Sequence, residues 1–393
     1  MIFEILIFIY ILLYQHFICK LRIQDDDLNQ VILSKNSLGD NQYNFNTSFV
    51  YFDLIDEYNF DRGWANKFQV KDSLNKNTKK CPRCEFQPTL KQPFLNFKKR
   101  KKADLVMTIY TKSLYGMIVL ARSLRTTGSQ ASIVYFVDSA IYGKIANKSK
   151  TLKLYQICGI TLINYGESPQ PYNCIVNYRF IFFCEFMKRH YRSYNKVIIT
   201  DGYDTVFQSD PFLNDWNPEV IYLTIENNRN SVTRGWYDRL FPNEYLGDVL
   251  ISPIINNGVI AGYSANLYRY LDFYTRSYKW KKWRDTLDQA LVNFLFYKGK
   301  FKEAGIKVQG IRAGEGFLAS IYNCHGTGSN QKLGMFDPKS KKIFPSLIHK
   351  FSEPRLFAKN VYAQCPRLKW QRDETEYIRG VSYQDMVIID KYL

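Results

Sequence analysis

The segment Val197-Ile198-Ile199-Thr200-Asp201-Gly202-Tyr203-Asp204 carries two carboxylates three residues apart, immediately after an apolar run. Clustered carboxylates repel one another unless a cation or a positive substrate sits between them. Mg²⁺ and Mn²⁺ prefer hard oxygen ligands and are often held by one or two carboxylates together with substrate phosphates. One reading of the spacing is therefore a divalent ion that joins the protein to a diphosphate. The other is a turn in which Asp204 acts as a cap and Asp201 bonds to backbone amides. Spacing alone leaves both open. A site built from two acids usually wants a further protein ligand, and the chain has only His16, His190, His325 and His349. His16 falls in an apolar run, His325 in the Gly-containing stretch CHGTGSNQK, and His349 behind the strand-like Pro-Ser-Leu-Ile. A mobile loop around His325 that closes on a ligand is the alternative to His349.

These residues need a scaffold that brings strand ends together. Asp104–Tyr110 and ASIVYFVD, ending at Asp138, are short apolar runs suited to buried parallel strands. Leu114, Met117, Ile118, Ala121 and Leu124 recur between them at helical spacing. Asn173–His190 reads as a buried helix, KVIIT as a third strand, EVIYLTIE as a fourth and NNGVIAGY as a fifth, before a helical stretch through DTLDQALVNFLFY. Such alternation predicts an α/β fold with a mainly parallel sheet flanked by helices and right-handed crossovers. In such sheets ligands lie beyond the carboxyl ends of the strands, where Asp138 and Asp201 both fall.

ITDGYDTVFQSDPF closely resembles the metal motif of GT-A nucleotide-diphospho-sugar transferases, in the variant that continues with Phe-Gln, an acid and Pro-Phe. The resemblance spans roughly residues 103 to 365. It implies a single Rossmann-like catalytic domain, a UDP- or GDP-sugar donor and Mn²⁺ or Mg²⁺. The family spacing is Asp-any-Asp and here it is Asp-any-any-Asp, so the division of work between Asp201 and Asp204 is not carried over. Asn256-Asn257-Gly258-Val259-Ile260 resembles the family's Asn-any-Gly strand on the donor-sugar and acceptor side, which gives Asn257 and Gly258 roles there. Asp288-Gln289 resembles the DQ motif, with Asp288 orienting the transferred sugar or serving as base in an inverting transfer. His349 resembles the late histidine that completes the metal or diphosphate site, and Lys350 or Arg355 would neutralise the leaving diphosphate. Arg179 resembles a basic helix residue at the donor phosphates. Thr108 and Tyr110 occupy the place of nucleotide-base contacts, and Asp138 that of a uridine or ribose contact. The same resemblance allows a second reading, a GT-A-fold sugar- or nucleotide-binding protein without catalysis.

The whole chain has 393 residues, 46% hydrophobic, and 30 Tyr and 28 Phe bring the aromatic share to 16%. The formal net charge of +18 suits anionic partners such as nucleotide diphosphates. Its densest basic run, Lys98 to Lys102, comes without a nucleic-acid-binding motif, so no nucleic-acid partner is expected. The expected partners are a nucleotide-sugar and a glycan, protein or lipid acceptor. Met1 to Cys19 is almost wholly apolar and reads as a signal sequence or a membrane anchor. Either sends the chain to the endoplasmic reticulum or Golgi lumen, as a type II membrane protein if the segment is retained, or else to secretion. Seven of eight cysteines lie outside that run, and Cys81 and Cys84 fit disulfides in an oxidising lumen better than half a zinc site. Asn46 and Asn147 stand in glycosylation sequons. The expected organisation is a leader at 1–23, a stem and irregular extension at 24–102, a catalytic domain at 103–370 and a C-terminal extension at 371–393.

Overall fold

The structure, a computed structural model, describes residues 67–70, 73, 78–88, 102–110, 114–167, 175–277, 287–322, 344–352 and 355–365. The apolar Met1–Cys19 run, the sequon at Asn46, Cys174, Cys324 and His325 lie outside them, as do the side chains of Tyr110 and Arg355. Among the described residues, no helix is long and apolar enough to cross a membrane.

In chain order come β1 (Ala103–Tyr110), α1 (Leu114–Thr126), β2 (Ser132–Val137), α2 (Ser139–Ala146), α3 (Ser149–Ile157), β3 (Ile160–Asn164) and α4 (Ile175–His190). There follow β4 (Tyr194–Thr200), β5 (Thr205–Phe207), β6 (Val220–Arg229), β7 (Pro253–Tyr263), α5 (Ser264–Arg276) and α6 (Asp288–Tyr297). The described part closes with β8 (Lys307–Arg312), β9 (Leu318–Ser320), β10 (Leu347–His349) and α7 (Arg355–Gln364).

Seven strands form one sheet in the order β3-β2-β1-β4-β7-β6-β8, and β5-β10-β9 form a small second sheet. The large sheet is mainly parallel. β7 runs against both β4 and β6, while the other four pairings are parallel. The central strands alternate between two cores, as a period of two requires. Leu105, Met107, Val134, Phe136, Val197 and Ile199 join the cluster that also takes residues of α4, α5 and α6. Val106, Ile133, Tyr135, Val137 and Ile198 join the one that takes residues of α1 and α7. Both faces are thus covered, which explains why these strands read as unbroken apolar runs.

The structure adds strands that the five apolar runs did not announce. β8, KVQGIR, is an edge strand with one buried residue in six, and β3 has five residues. β5, β9 and β10 have three each, too short to show any period.

The chain runs β1-β2-β3 outward to one edge and then returns to place β4 on the other side of β1. That reversal makes the β1/β4 boundary the topological switch point, where a doubly wound sheet opens a crevice beyond its strand ends. Asp201 follows β4 directly, and Thr108 lies near the matching end of β1.

Cys81 is bonded to Cys158 and Cys84 to Cys365, so the two ends of CPRC tie one segment to two separate parts of the domain. Arg122 holds that segment as well, through Pro82 O and Arg83 O.

Candidate active site at the ends of β4, β7 and β10

The turn after β4 is closed by a 2.8 Å hydrogen bond between the Thr200 and Thr205 hydroxyls. Gly202 allows it to lie against β1, since a Cβ there would come within 2.9 Å of Thr108 Oγ1. Thr108 is fully buried and so supports the turn. Asp201 N–H donates to Gly258 O at 2.9 Å, which carries the β4–β7 pairing one step beyond the strand. β10 pairs with β5 on one side and β9 on the other, and places His349 opposite Thr205.

Three side chains converge as a result. His349 Nε2 stands 3.3 Å from Asp201 Oδ2 and 3.3 Å from Asp204 Oδ1. His349 is completely buried and Asp204 almost so. Asp204 Oδ1 and both imidazole nitrogens have no hydrogen-bond partner. Buried polar atoms left unpaired cost free energy, so Asp204 Oδ1 and His349 Nε2, which face one another beside Asp201 Oδ2, call for something between them. A six-coordinate ion with bonds of about 2.1 Å holds neighbouring ligand atoms about 3.0 Å apart; His349 Nε2 stands 3.3 Å from each oxygen, and the three ligand atoms lie within 4.8 Å of one another. One imidazole nitrogen and two carboxylate oxygens are a donor set that could hold a divalent metal ion. Gly258 leaves the space: a Cβ there would lie 2.3 Å from His349 Cε1 and 2.8 Å from Asp201 Oδ2. The residues therefore fit a divalent cation.

The charge balance points the same way. Asp201, Asp204 and Asp288 supply three acidic side chains, against the fixed cations Arg179 and Lys350. Arg179 on α4 bridges two of the acids, with Nη1 donating to Asp201 Oδ1 and Nη2 to Asp288 Oδ2 at 2.9 Å. Nη2 also reaches Asn257 O at 3.3 Å. Lys350 Nζ lies 3.2 Å from Asp204 Oδ2. Lys350 has φ of +64°, so its backbone sits in the left-handed region that non-glycine residues rarely adopt.

Burial alone would raise the carboxyl of Asp201, but Arg179 outweighs it, with His349 and Lys350 adding, and the group is held well below the usual carboxylate range. Burial likewise works against Asp204, and Lys350 with His349 overcomes it and lowers its pKa. At Asp288 burial prevails over Arg179, and the pKa is raised. Burial would depress His349, yet the carboxylates of Asp204 and Asp201 raise it.

A cation must displace a proton held on His349, so affinity falls with acidity. Mn²⁺ binding, followed by calorimetry across pH, is expected to weaken as pH drops through the raised His349 value. The cation-free fold shows the opposite sign. Its stabilisation by the His349 contacts is complete below the ordinary imidazole pKa, and is lost as pH rises through the raised one.

Asp288 stands at the first turn of α6, where Asn177 Oδ1 accepts from the Leu287 and Asp288 backbone N–H groups at 3.2 and 3.0 Å. Asn257 donates through Nδ2 to the Tyr274 hydroxyl at 3.0 Å, and its Oδ1 is buried without a partner. Asp138, expected at the nucleotide, instead caps α2 by accepting from Ile141 N–H at 2.7 Å. The structure thus brings together Asp201, Asp204, His349, Lys350, Arg179, Asp288, Asn257 and Gly258, with Thr108 behind the turn. Arg179 is engaged by two carboxylates, where a phosphate contact was expected. Sequence reasoning missed Glu226 and Asn256. Glu226 ends the apolar run EVIYLTIE inside β6, and an acid at the end of that run was its only signal.

Arg179→Ala strips the partner from two carboxylates in a buried setting. Losing one member of a buried pair costs about 3–5 kcal/mol. Urea unfolding of Arg179→Ala is expected to show a loss of that order. Arg179→Lys should recover only part, since a point charge cannot span both acids.

No protein-family profile matches the chain, and no curated protein matches it. Among solved structures it is similar to the bifunctional glycosyltransferase WbbM in its apo form, at 15% identity and a TM-score of 0.38. The match covers 69% of this chain, which spans only about half the length of that protein, 50% of which is covered.

Proposed function

We propose that the chain is a metal-dependent glycosyltransferase that moves a sugar from a UDP- or GDP-sugar to a glycan, glycoprotein or lipid acceptor. The observation that carries this reading is the convergence of the unpaired Asp204 Oδ1 and His349 Nε2 with Asp201 Oδ2 beside the β1/β4 switch point. The resemblance of ITDGYDTVFQSDPF, NNG and DQ to GT-A motifs supports it. Asp201, Asp204 and His349 would hold Mn²⁺ or Mg²⁺, which when bound supplies a Lewis acid for the charge on a departing diphosphate.

The chain's own residues do the rest. Lys350 is 28% exposed, and its ammonium is the fixed positive charge best suited to meet donor phosphates. Arg179 locks Asp201 and Asp288 into one rigid unit, so cation and transferred sugar are oriented together. Asp288 accepts a hydroxyl of that sugar, with Asn257 alongside. Tyr110 ends β1, where the resemblance puts a nucleotide-base contact, while the buried Thr108 supports the turn behind it. The two disulfides support a lumenal or extracellular compartment. Non-reducing peptide mapping of the native protein checks that, and four free thiols there would count against it.

The test of function is release of nucleoside diphosphate from a panel of UDP- and GDP-sugars, with Mn²⁺ and with EDTA. One donor should be turned over only with the cation. No turnover and no binding of any donor, with no effect of metal, would end the proposal.

A further inference from the structure

β7 departs from regular pairing at one place. Leu223 of β6 is opposite Ile260, but the next residue, Thr224, is opposite Asn256. Asn257, Gly258 and Val259 therefore face no residue of β6 and bulge out of that ladder. On its other side β7 stays joined to β4, through Thr200 opposite Val259 and Asp201 N–H on Gly258 O. Bulges of this kind re-aim backbone and side chains next to active sites. This one pushes Gly258 against His349 Nε2 and Asp201 Oδ2, at 2.7 and 2.8 Å from a notional Cβ.

Two side chains hold the bulge in shape. Asn256 Oδ1 accepts from Gly258 N–H at 2.7 Å, and Asn256 Nδ2 donates to Glu226 Oε1. Asn256 and Glu226 are both buried, at 2% and 5% exposure. Each half of the Asn256 amide is thereby committed, and the amide cannot turn over without losing both bonds. Glu226 thus fixes Asn256, Asn256 fixes the Gly258 N–H, and the Gly258 carbonyl fixes the backbone of Asp201.

We propose that Glu226, acting through Asn256, is a positioning residue for the cation site, which sets the spacing of Asp201 and His349 by fixing the Gly258 bulge. The proposal rests on the cation reading above. Glu226 works as the outer support of the three ligand atoms, through its bond from Asn256. Outer-shell partners of this kind are worth about 10- to 100-fold in metal affinity.

The experiment is Mn²⁺ titration of the full chain by calorimetry, with circular dichroism to check folding. Glu226→Ala is expected to weaken Mn²⁺ binding by about 10- to 100-fold. Glu226→Gln keeps an acceptor for Asn256 Nδ2 and should bind close to wild type. Asn256→Ala should match Glu226→Ala, and the double variant should be no weaker than either single, because both act through one linkage. Unaltered Mn²⁺ affinity in folded Glu226→Ala overturns the proposal. So do equal losses in Glu226→Ala and Glu226→Gln, or additive losses in the double variant. Wild-type protein that binds no Mn²⁺ overturns the cation reading itself, whereas wild-type binding with unaltered Glu226→Ala overturns this inference alone.

Discussion

Asp204→Asn is expected to abolish cation-dependent donor turnover, with a loss of about a hundredfold or more. The side chain keeps its size and one acceptor oxygen, so the packing around a residue 2% exposed is preserved. What it loses is the charge that a divalent ion and Lys350 both require. Removing one preorganised electrostatic contact to a developing charge costs about 10²–10³ in rate. Lys350 and His349 lose their carboxylate partner, so the fold is expected to lose up to about 3–5 kcal/mol, the cost of a broken buried pair, less what the relief of Asp201–Asp204 repulsion and the 28% exposure of Lys350 return. Added Mn²⁺ should raise the unfolding midpoint of wild type and leave that of Asp204→Asn unchanged, since only a bound cation stabilises the native state. Steady-state kinetics with and without EDTA measures the first effect and thermal unfolding the second. Wild-type turnover in folded Asp204→Asn would remove this residue from the mechanism.

Gly258→Ala is the second large effect. The new methyl would lie 2.3 Å from His349 Cε1 and 2.7 Å from its Nε2. His349 cannot step aside, because it is fully buried on β10 between β5 and β9. Either the bulge or the imidazole must shift, and overpacking of this kind costs about 1–3 kcal/mol. Cation affinity should fall along with stability, because the displaced atoms are the ligands themselves. Gly143→Ala is the control, since a Cβ there meets nothing within 4 Å on helix α2. It should be neutral or slightly stabilising, as Ala is preferred over Gly inside a helix by about 1 kcal/mol. Denaturant unfolding and Mn²⁺ titration of the pair separate the local clash from a general intolerance of substitution.

The scaffold of this site was legible where burial on both faces wrote continuous apolar runs. β1, β2 and β4 were read within a residue or two of their observed ends, and Asp201 was placed correctly at a strand end. His349 was favoured because it follows the strand-like Pro-Ser-Leu-Ile and resembles the late histidine of the GT-A family, although β10 is only three residues long. The bulge in β7 was not legible. NNG signals a turn, and only the register with β6 shows that it is an outward loop in a continuing strand. Glu226 escaped for the same reason, since its partner Asn256 lies 30 residues away across that irregular pairing. Asp138 shows how little a strand-end position decides, since an acid there serves equally as a helix cap, and its carboxylate accepts from Ile141 N–H. The disulfides show the same limit. Cys81 and Cys84, three residues apart, bond to Cys158 and Cys365, a connectivity that spacing does not encode.

Arg179 changes the view of the site most. The GT-A resemblance implied a phosphate contact for Arg179, and its guanidinium joins Asp201 to Asp288. The acids that would face the cation and the transferred sugar are thereby coupled, and neither can move without the other.

The most direct test of the account is an electron paramagnetic resonance titration of Mn²⁺ into wild type and Asp204→Asn, each with and without UDP or GDP. The account predicts one Mn²⁺ per wild-type chain, bound more tightly when the nucleoside diphosphate is present, and no such site in Asp204→Asn. Wild-type protein that binds no Mn²⁺, or binding that neither nucleotide nor loss of Asp204 alters, would contradict it.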